Sequence, residues 1–360
     1  MKQSIPIVQR PGTISAKRRH LLRTDAARFI ACIFAGLACA PVGQALAHEM
    51  YVTNEKDNTI SVIDTQALRV LRTIPVGKRP RGITFSSDYS RFFVCASDSD
   101  AVQVFDAASG RHLYDLPSGA DPEQFALAPD GKHLFIANED NAVTTVIDAG
   151  TRQVVAQIDV GVEPEGMAVS PDNSLAVTTS ETTNMAHFID ATTYKPISNV
   201  LVDQRPRHAE FTADGKKVWV SSEIGGTISI IDVAGQIVEH KIAFQIPGVP
   251  SEKIQPVGIV FLRDGNTAFA ALGPANRVAV IDVKTATVTK YILVGERVWH
   301  LALTPENDLL FTTNGLTNDV SVIDVKTLTA VKSIKVGRAP WGVALRAMTP
   351  LAGVVKNSLD

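Results

Sequence analysis

An aspartate that ends an apolar strand recurs along the chain, and this recurrence limits the possible folds more than any other feature. Successive aspartates are 42 residues apart, except for one interval of 50, and they are Asp64, Asp106, Asp148, Asp190, Asp232, Asp282 and Asp324. A second marker keeps the same spacing at Pro80, Pro122, Pro164, Pro206, Pro256, Val298 and Pro340. Two independent markers with one period indicate seven copies of one structural unit.

Each unit contains four short apolar or alternating segments separated by turn residues. In the third unit the predicted strands are Phe125–Ala128, Leu134–Ala137, Val143–Asp148 and Val154–Val160. Proline and glycine lie between the first two of these segments, as is typical of a tight turn. The pattern predicts an all-β fold, a seven-bladed β-propeller with four antiparallel strands in each blade. An open solenoid is disfavoured because it would need atypical capping repeats.

The two ends of the repeat region predict how the ring closes. The first strand-like segment, Met50-Tyr51-Val52-Thr53-Asn54, corresponds to the second strand of a unit, and the last one, Trp341–Arg346, corresponds to a first strand. One blade would therefore pair the C-terminal strand with three N-terminal strands, which removes an exposed sheet edge. We expect the propeller to span residues 48–346 and a tail to span residues 347–360.

The first 47 residues have the features of a cleaved signal peptide. A basic region precedes an apolar stretch from Phe29 to Val42, and Ala45-Leu46-Ala47 fits the small-x-small pattern of a cleavage site. The run from Lys17 to Arg23 resembles a twin-arginine export signal, and a general secretory signal explains it equally well. We therefore predict export, with the periplasm as the destination. No other segment has 18 uninterrupted apolar residues, so no membrane span is predicted.

Charge and cysteine content exclude two classes of protein. After residue 47 the chain holds 28 basic and 36 acidic side chains, a net charge near −8, which argues against a nucleic-acid partner. Cys95 is the single cysteine of that part. This excludes an intramolecular disulfide framework and a zinc site built from several cysteines. Cys95 lies within a predicted strand, where we expect it to be a buried apolar residue.

The residue after each recurring proline begins an innermost strand, so these side chains should surround one mouth of the central channel. They are Arg81, Glu123, Glu165, Arg207, Val257, Trp299 and Trp341. The loops between second and third strands contribute an acid in five of seven units, namely Glu55, Asp98, Glu139, Glu181 and Glu223. Such acids either pair with nearby arginines or form a negative rim for a cation or a basic partner.

Two histidines occupy one matched position, two blades apart. His208 and His300 lie where four of the other five copies have glycine. Imidazole at this position would ligate a metal or a haem, act as a general acid or base, or hydrogen-bond to a neighbouring strand. Trp299 and Trp341 would stack on a flat ligand or fill the channel.

From these features we predict a ligand-binding site at the channel mouth, with no catalytic residue assigned and its metal left open. Its predicted residues are Arg81, Glu123, Glu165, Arg207, His208, Trp299, His300 and Trp341. No phosphate-binding glycine loop, nucleophile elbow or His-Glu-x-x-His motif occurs. The lack of a Cys-x-x-Cys-His sequence means that any haem would be held without a covalent bond. The eight additional residues of the fifth unit fall at Ala243–Gln255, where we expect a lid or a docking loop.

The repeat itself resembles a known family. Tyr51-Val52-Thr53-Asn54, followed by Asn58-Thr59-Ile60-Ser61-Val62-Ile63-Asp64 and Ile74-Pro75-Val76-Gly77, is similar to the YVTN repeats of β-propellers. A secreted chain of seven such units resembles the propellers associated with pyrroloquinoline-quinone-dependent alcohol catabolism. This resemblance implies a periplasmic accessory protein that binds a small ligand, a cofactor (non-covalent haem, pyrroloquinoline quinone or a metal ion), or a partner such as a quinoprotein dehydrogenase or its cytochrome.

Two alternatives remain open at this point. The first is a haem- or metal-dependent redox or hydrolytic propeller enzyme that uses His208, His300 and Glu165. The second is a structural protein, because YVTN repeats also resemble those of surface-layer proteins. Fold alone does not choose between them, since one architecture serves many functions.

Overall fold

A computed structural model describes residues 47–348. These residues form seven four-stranded antiparallel sheets arranged as blades of one ring, which confirms the predicted all-β seven-bladed propeller. The predicted signal peptide, except Ala47, and residues 349–360 of the predicted tail lie outside the described residues.

The strands of all blades follow one order from the channel outward. The innermost strands are Pro80–Phe85 (β4), Pro122–Leu127 (β8), Pro164–Val169 (β12), Pro206–Phe211 (β16), Ile259–Phe261 (β20), Val298–Leu303 (β24) and Pro340–Arg346 (β28). The second strands are Glu49–Asn54 (β1), Arg91–Ala96 (β5), His133–Asn138 (β9), Leu175–Ser180 (β13), Lys217–Ser222 (β17), Thr267–Ala271 (β21) and Leu309–Asn314 (β25). The third strands are Thr59–Asp64 (β2), Ala101–Asp106 (β6), Val143–Asp148 (β10), Met185–Asp190 (β14), Thr227–Asp232 (β18), Arg277–Asp282 (β22) and Asp319–Asp324 (β26). The outer strands are Arg69–Pro75 (β3), His112–Pro117 (β7), Gln153–Asp159 (β11), Pro196–Leu201 (β15), Ile237–Ala243 (β19), Thr287–Leu293 (β23) and Thr329–Lys335 (β27).

Helical structure in the described part is limited to two short 3₁₀ turns, Ser97–Ser99 and Ser251–Lys253. Accordingly, no helix between residues 47 and 348 is long and apolar enough to cross a membrane.

The ring closes as the ends of the repeat region predict. Strand β28 pairs antiparallel with β1, so that Glu49 lies opposite Arg346 and Tyr51 opposite Ala344. The blade formed by β28, β1, β2 and β3, here called the closing blade, thus joins the two ends of the chain. Because β28 and β1 come from opposite ends of the repeat region, their pairing closes the ring and leaves no unpaired sheet edge between them.

The recurring aspartate has a local structural role. Asp64, at the end of β2, accepts hydrogen bonds from the backbone N–H groups of Gln66 and Ala67, each at 2.8 Å. Asp148 does the same for Gly150 and Thr151, at 2.9 and 2.7 Å. An aspartate that caps the turn into the outer strand explains why this residue type repeats with the blade.

The apolar core lies between neighbouring blades rather than at the ring axis. Between the closing blade and the next one, Tyr51, Phe85 and Phe92 are buried together, and the rings of Tyr51 and Phe85 meet edge to face at 4.9 Å. Second and third strands are buried along most of their length, whereas the outer strands alternate toward solvent. Cys95 is buried in the apolar core, as predicted. Because this core lies between the blades, the channel is lined mainly by the innermost strands.

The longer loop of the fifth unit is anchored to the core. Phe244, Ile246 and Ile254 are buried in one apolar cluster with Trp219 and Ile259. These three contacts hold both ends of the additional segment against blades four and five, which are the blades that begin with β16 and β20.

Candidate functional site

The blade-joining segments have an unusual backbone conformation with positive φ values. The residue before the recurring proline is in the left-handed region at Arg79, Arg205 and Arg297, with φ values of 49°, 59° and 59°. The backbone N–H of each donates to an asparagine Oδ1 of the preceding blade at 2.9 to 3.0 Å. These asparagine hydrogen bonds hold a conformation that residues other than glycine adopt infrequently.

Charged side chains from these segments and from the loops between second and third strands form one connected network, here called the rim lattice. It comprises Glu55, Arg79, Arg81, Asp98, Asp121, Glu123, Glu139, Glu165, Glu181, Arg205, Arg207, Glu223 and Arg297. Its members come from different blades, so the lattice links blades across one end of the channel.

Two arginines lie at the centre of the rim lattice, Arg207, which is buried, and Arg81, which is mostly buried. The guanidinium of Arg81 contacts Glu55 and lies 2.9 Å from Glu123 and 4.0 Å from Glu165. That of Arg207 contacts Glu181 and lies 3.1 Å from Glu165. Glu165 therefore bridges the two arginines. Burial of these charges is tolerable only because each has several partners of opposite sign.

The acids of the rim lattice outnumber its arginines by eight to five. Three carboxyl groups have raised pKa values, each mainly because of burial. The pKa of Glu165 is well above its usual range, that of Asp121 rises to about 6, and that of Glu139 rises to about 8. The excess of negative charge at this end is thus reduced by protonation.

Glu139 pairs with another carboxyl group, that of Glu123, and not with an arginine. Burial and the neighbouring Glu123 raise its pKa, and the two side chains share a hydrogen bond. Burial alone would raise the pKa of Glu123 too, but Arg81 and Arg79 hold it below its usual value. Ligand oxygens of Asp121, Glu123 and Glu139 lie within 4.8 Å of one another, as a cation site would require. Arg79, however, already contacts both Asp121 and Glu123 and supplies the positive charge there.

The tryptophans are part of the same end of the channel. Trp299 lies beside two cations, with the guanidinium carbons of Arg297 and Arg207 at 4.0 and 5.5 Å from its ring centre. The guanidinium of Arg81 lies 5.0 Å from the centre of Trp341. Each contact is a cation–π interaction that stabilises an arginine of the rim lattice, so these rings and the rim lattice together close this mouth.

One position further along the innermost strands the channel narrows to a waist. Side chains alternate with glycine around it, in the order Gly82, Gln124, Gly166, His208, Gly258, His300 and Gly342. A Cβ atom on Gly166 would lie 2.8 Å from the Cα of His208, and one on Gly258 would lie 2.9 Å from the Cα of His300. Adjacent blades approach too closely for both to carry a side chain here, which explains why the two histidines are two blades apart.

The waist histidines face each other with few polar contacts. Their ring centres are 5.7 Å apart. Within residues 47–348 neither ring nitrogen of His208 has a hydrogen-bond partner, and neither do Nε2 of His300 and Nε1 of Trp341, although all four atoms are buried. His300 is only 7% exposed, and burial holds its pKa well below the usual value. Unpaired polar atoms in such a place are costly, and they are normally satisfied by an ordered water, an ion or a ligand.

A cavity of about 560 Å³ lies against this waist. Gln124, His208, His300 and Trp341 line one end of it, and the turn residues Pro129 and Pro171 line the other. The cavity therefore extends from the waist toward the face that carries the turns between first and second strands. The side chain of Glu210 lies along this cavity, 3.6 Å from Nε2 of His208.

The predicted site residues thus fall into two groups. Arg81, Glu123, Glu165, Arg207 and Trp299 belong to the closed, rim-lattice end and contact one another. His208, His300 and Trp341 line the cavity on the other side of the waist. Trp341 touches both groups, since its ring centre is 4.2 Å from that of His300. The charged residues predicted for the site are therefore paired with one another at the rim.

Two cavity residues, Gln124 and Glu210, lay outside the predicted set. Gln124 was detectable, since it is the third residue that replaces glycine at the matched position of the repeat. Glu210 follows His208 by two residues on β16, so both side chains lie on the same side of the strand. The alternation of side chains along β16 would have indicated that Glu210 lies on the same side as His208.

Comparison with known proteins places this geometry in a wider group. No curated protein matches the chain. Among solved structures, a putative 6-phosphogluconolactonase from Bacteroides fragilis is 19% identical, with a TM-score of 0.71 over 86% of this chain and 100% of that one. Hydrazine synthase of Kuenenia stuttgartiensis is also 19% identical, with a TM-score of 0.65 over 73% of this chain and 88% of that one.

A third solved structure is the dihydro-heme d1 dehydrogenase NirN in complex with DHE, at 14% identity and a TM-score of 0.63 over 82% of this chain and 74% of that one. At such identities these likenesses concern the fold alone. The model of the virginiamycin B lyase family matches residues 70–351, most of the propeller. On that match, the chain belongs to the virginiamycin B lyase family of β-propeller proteins.

Proposed function

We propose that this protein is an exported, periplasmic binding propeller that holds a small ligand in its waist cavity as an accessory to quinoprotein alcohol oxidation. The observation that carries the binding role is the buried, unpaired Nε2 of His300 at the end of a 560 Å³ cavity. The export route and the pathway rest on the signal-like N-terminal sequence and on the resemblance of the seven repeats.

The chemistry of the cavity favours a ligand with a flat apolar part and a few polar atoms. Phe125, Met167 and Leu301 supply apolar lining, and Trp341 supplies an aromatic edge next to His300. Imidazole and indole nitrogens without partners would then bond to the ligand's polar atoms. The lining as a whole is slightly more polar than apolar, so a ligand that combines polar atoms with an apolar ring suits it better than a wholly apolar one.

Tryptophan fluorescence tests binding directly, because the chain has three tryptophans in different surroundings. Titration with pyrroloquinoline quinone should quench the wild-type emission saturably at one ligand per chain. The quenching should be largely lost in Trp341→Phe, which changes the ring at the cavity, and retained in the control Trp299→Phe, which changes the ring in the rim lattice. No saturable quenching by the quinone would contradict its assignment as the ligand.

The pathway assignment needs a separate experiment. Untagged protein isolated from the periplasm of its own organism should co-purify with a quinoprotein dehydrogenase or its cytochrome, and its absorbance spectrum shows any bound haem. A Soret band that disappears in His300→Leu would support the redox alternative instead. Absence of the protein from the periplasmic fraction would refute the proposed localisation.

A second candidate function is a lyase, as the family name suggests. A specific observation favours it: Nε2 of His300 is unpaired beside the cavity and can accept a proton from a bound molecule. In an elimination, the imidazole would take a proton from carbon while the leaving group departs from the adjacent atom. His300→Gln should then abolish turnover of virginiamycin B without weakening its binding by more than a few-fold.

A further inference from the structure

Strongly exposed apolar side chains are concentrated at the end of the propeller that carries the rim lattice. Three lie in loops there and two are the last residues of outer strands, each 50 to 69% exposed, and they are Val162, Leu201, Ile224, Leu293 and Leu316. By the same count the described residues of the opposite end contribute two, Ile237 and Met348. Single exposed apolar residues are ordinary, whereas their concentration on one face is typical of an interaction surface.

Part of this end forms a continuous apolar surface over blades four to six. A hollow of about 410 Å³ is lined by Leu316 and by Val249 of the long loop, and another of about 380 Å³ is lined by Ile224. The turn that carries Ile224 abuts the long loop, because a Cβ atom on Gly226 would lie 3.4 Å from the carbonyl oxygen of Ile254. We call the surface from Ile224 through Val249 to Leu316 the apolar arc.

An acidic surface adjoins the apolar arc at the same end. Four loops that follow one another along the chain there, residues 97–100, 118–121, 139–142 and 160–163, contain six acids and no lysine or arginine. These acids, here called the acidic sector, are Asp98, Asp100, Asp121, Glu139, Asp140 and Glu163. Glu163 lines the same hollow as Ile224, so the acidic sector and the apolar arc meet there.

The acidic sector holds more negative charge than the chain itself balances. Arg79 contacts two of its six acids, Asp98 and Asp121. Burial, together with the neighbouring acids, raises the pKa of Glu139 to about 8, as expected where cations are too few. Three of the acids, Asp98, Asp100 and Asp140, are exposed to solvent, so positive charge from outside can approach them.

These two surfaces together determine which occupant fits. Apolar side chains at the centre of a contact and charged residues at its edge are the usual arrangement of a protein interface, and an acidic edge favours a partner with a basic one. A second copy of this chain suits the surface poorly, because each copy has 36 acids and 28 bases after residue 47 and two copies repel each other.

We propose that the apolar arc is the docking site of a protein partner whose apolar contact surface is flanked by lysines and arginines, which face the acidic sector. This inference goes beyond the proposed function. It concerns a surface on the closed end of the channel, whereas the proposed ligand lies in the cavity on the other side of the waist, so docking does not depend on that ligand.

Site-specific photo-crosslinking in the full-length protein, produced in its own organism, tests the proposal. Benzoylphenylalanine in place of Leu316, and separately in place of Ile224, should crosslink to one and the same protein, whose sequence, identified by mass spectrometry, should have a basic surface. The matched control is benzoylphenylalanine in place of Ile237, which is 59% exposed at the opposite end of the propeller and should give no such adduct.

The purified crosslinked protein then serves as the probe in titration calorimetry. Its affinity should fall at least tenfold in Ile224→Ser and in Leu316→Ser, fall severalfold in Asp100→Asn/Asp140→Asn, and stay unchanged in the control Ile237→Ser. Added NaCl should weaken binding to the wild type more than binding to the aspartate variant, because salt screens exposed charges. All these substitutions are at exposed positions, and circular dichroism should show the wild-type β structure in each.

Several results would overturn the proposal: no adduct from either rim position, equal adducts from the position of Ile237, capture of an acidic protein or of a second copy of this chain, or affinities that the serine variants leave unchanged. The two proposals fail separately. Quenching of tryptophan emission by pyrroloquinoline quinone reports on the cavity alone, so saturable quenching without crosslinking would refute the docking site and leave the binding function. Crosslinking without quenching would refute the quinone and leave the docking site.

Discussion

The two ends of the channel use similar polar residues in opposite ways. At the rim lattice, charged side chains from several blades form ion pairs with one another, and even Glu123, which is fully buried, lies 2.9 Å from the guanidinium of Arg81. At the waist, one residue further along the same strands, buried imidazole and indole nitrogens have no hydrogen-bond partners within the described chain. A single step along the repeat thus separates groups that stabilise the ring from groups that are left unpaired.

This difference suggests a division of roles, in which one position of the repeat stabilises the ring and the next is available for binding. Charges that come from every blade except the one formed by β20–β23 can close one end of the ring and fasten blades together without a large apolar plug. The waist cannot do this, because the close approach of neighbouring strands allows side chains only on alternate blades. Substitutions at the rim should therefore affect stability, and substitutions of the waist histidines should affect binding.

The largest effect is expected from Arg207→Met. This change leaves Glu165 and Glu181 buried without their central cation, so the free energy of unfolding should fall by about 3–5 kcal/mol. The control is Arg205→Met, since Arg205 contacts Glu181 as well but its side chain is 47% exposed, against 5% for Arg207. The control should cost no more than about 1 kcal/mol. Urea denaturation measures both, and equal losses would show that burial of the lattice is unimportant.

A smaller effect is expected at the waist itself from Gly166→Ala. The added Cβ would lie 2.8 Å from the Cα of His208 and 3.0 Å from the carbonyl oxygen of Arg207, and these backbone atoms can move little. We expect a loss of about 1–3 kcal/mol in the free energy of unfolding. Gly150→Ala, in an exposed turn, is the control and should change stability by about 0.5 kcal/mol or less. A harmless Gly166→Ala would mean that the alternation around the waist is not steric.

The pH dependence of stability tests the excess of acid at the rim. Glu139 has its pKa raised to about 8 from an unfolded value near 4.5, so the folded chain binds more protons between these values. Its contribution to stability is complete below about pH 4.5 and is lost as the pH rises through 8. The free energy of unfolding of Glu139→Gln should therefore rise by about 1–2 kcal/mol relative to that of the wild type between pH 5 and pH 9. This figure is reduced to allow for the partial exposure of Glu139. Glu252→Gln, on an exposed 3₁₀ turn, should show no such gain, and a flat difference for Glu139→Gln would contradict the shared proton.

Much of the fold was predictable because the repeat carries it. The aspartate that caps each outer turn and the proline that begins each innermost strand are local features, and they fixed the number of blades and the closure. The pairing at the rim was harder to predict. Arg207 meets Glu165 and Glu181, which are 42 and 26 residues away, and sequence spacing does not say which acids each guanidinium reaches.

The sequence also did not show which end of the channel is open. His208 and Arg207 are consecutive, yet one lines the cavity and the other lies in the rim lattice. Alternation along a strand separates two such side chains, but it does not show which side is already filled. That outcome depends on the long arginine side chains of several blades together.

The most direct test of the account is the unfolding free energy of His208→Gln/His300→Gln beside that of the wild type. We predict that the two proteins differ by less than about 1 kcal/mol, because the two imidazoles make few hydrogen bonds to the scaffold. A double variant that loses several kcal/mol would show that the waist histidines are structural.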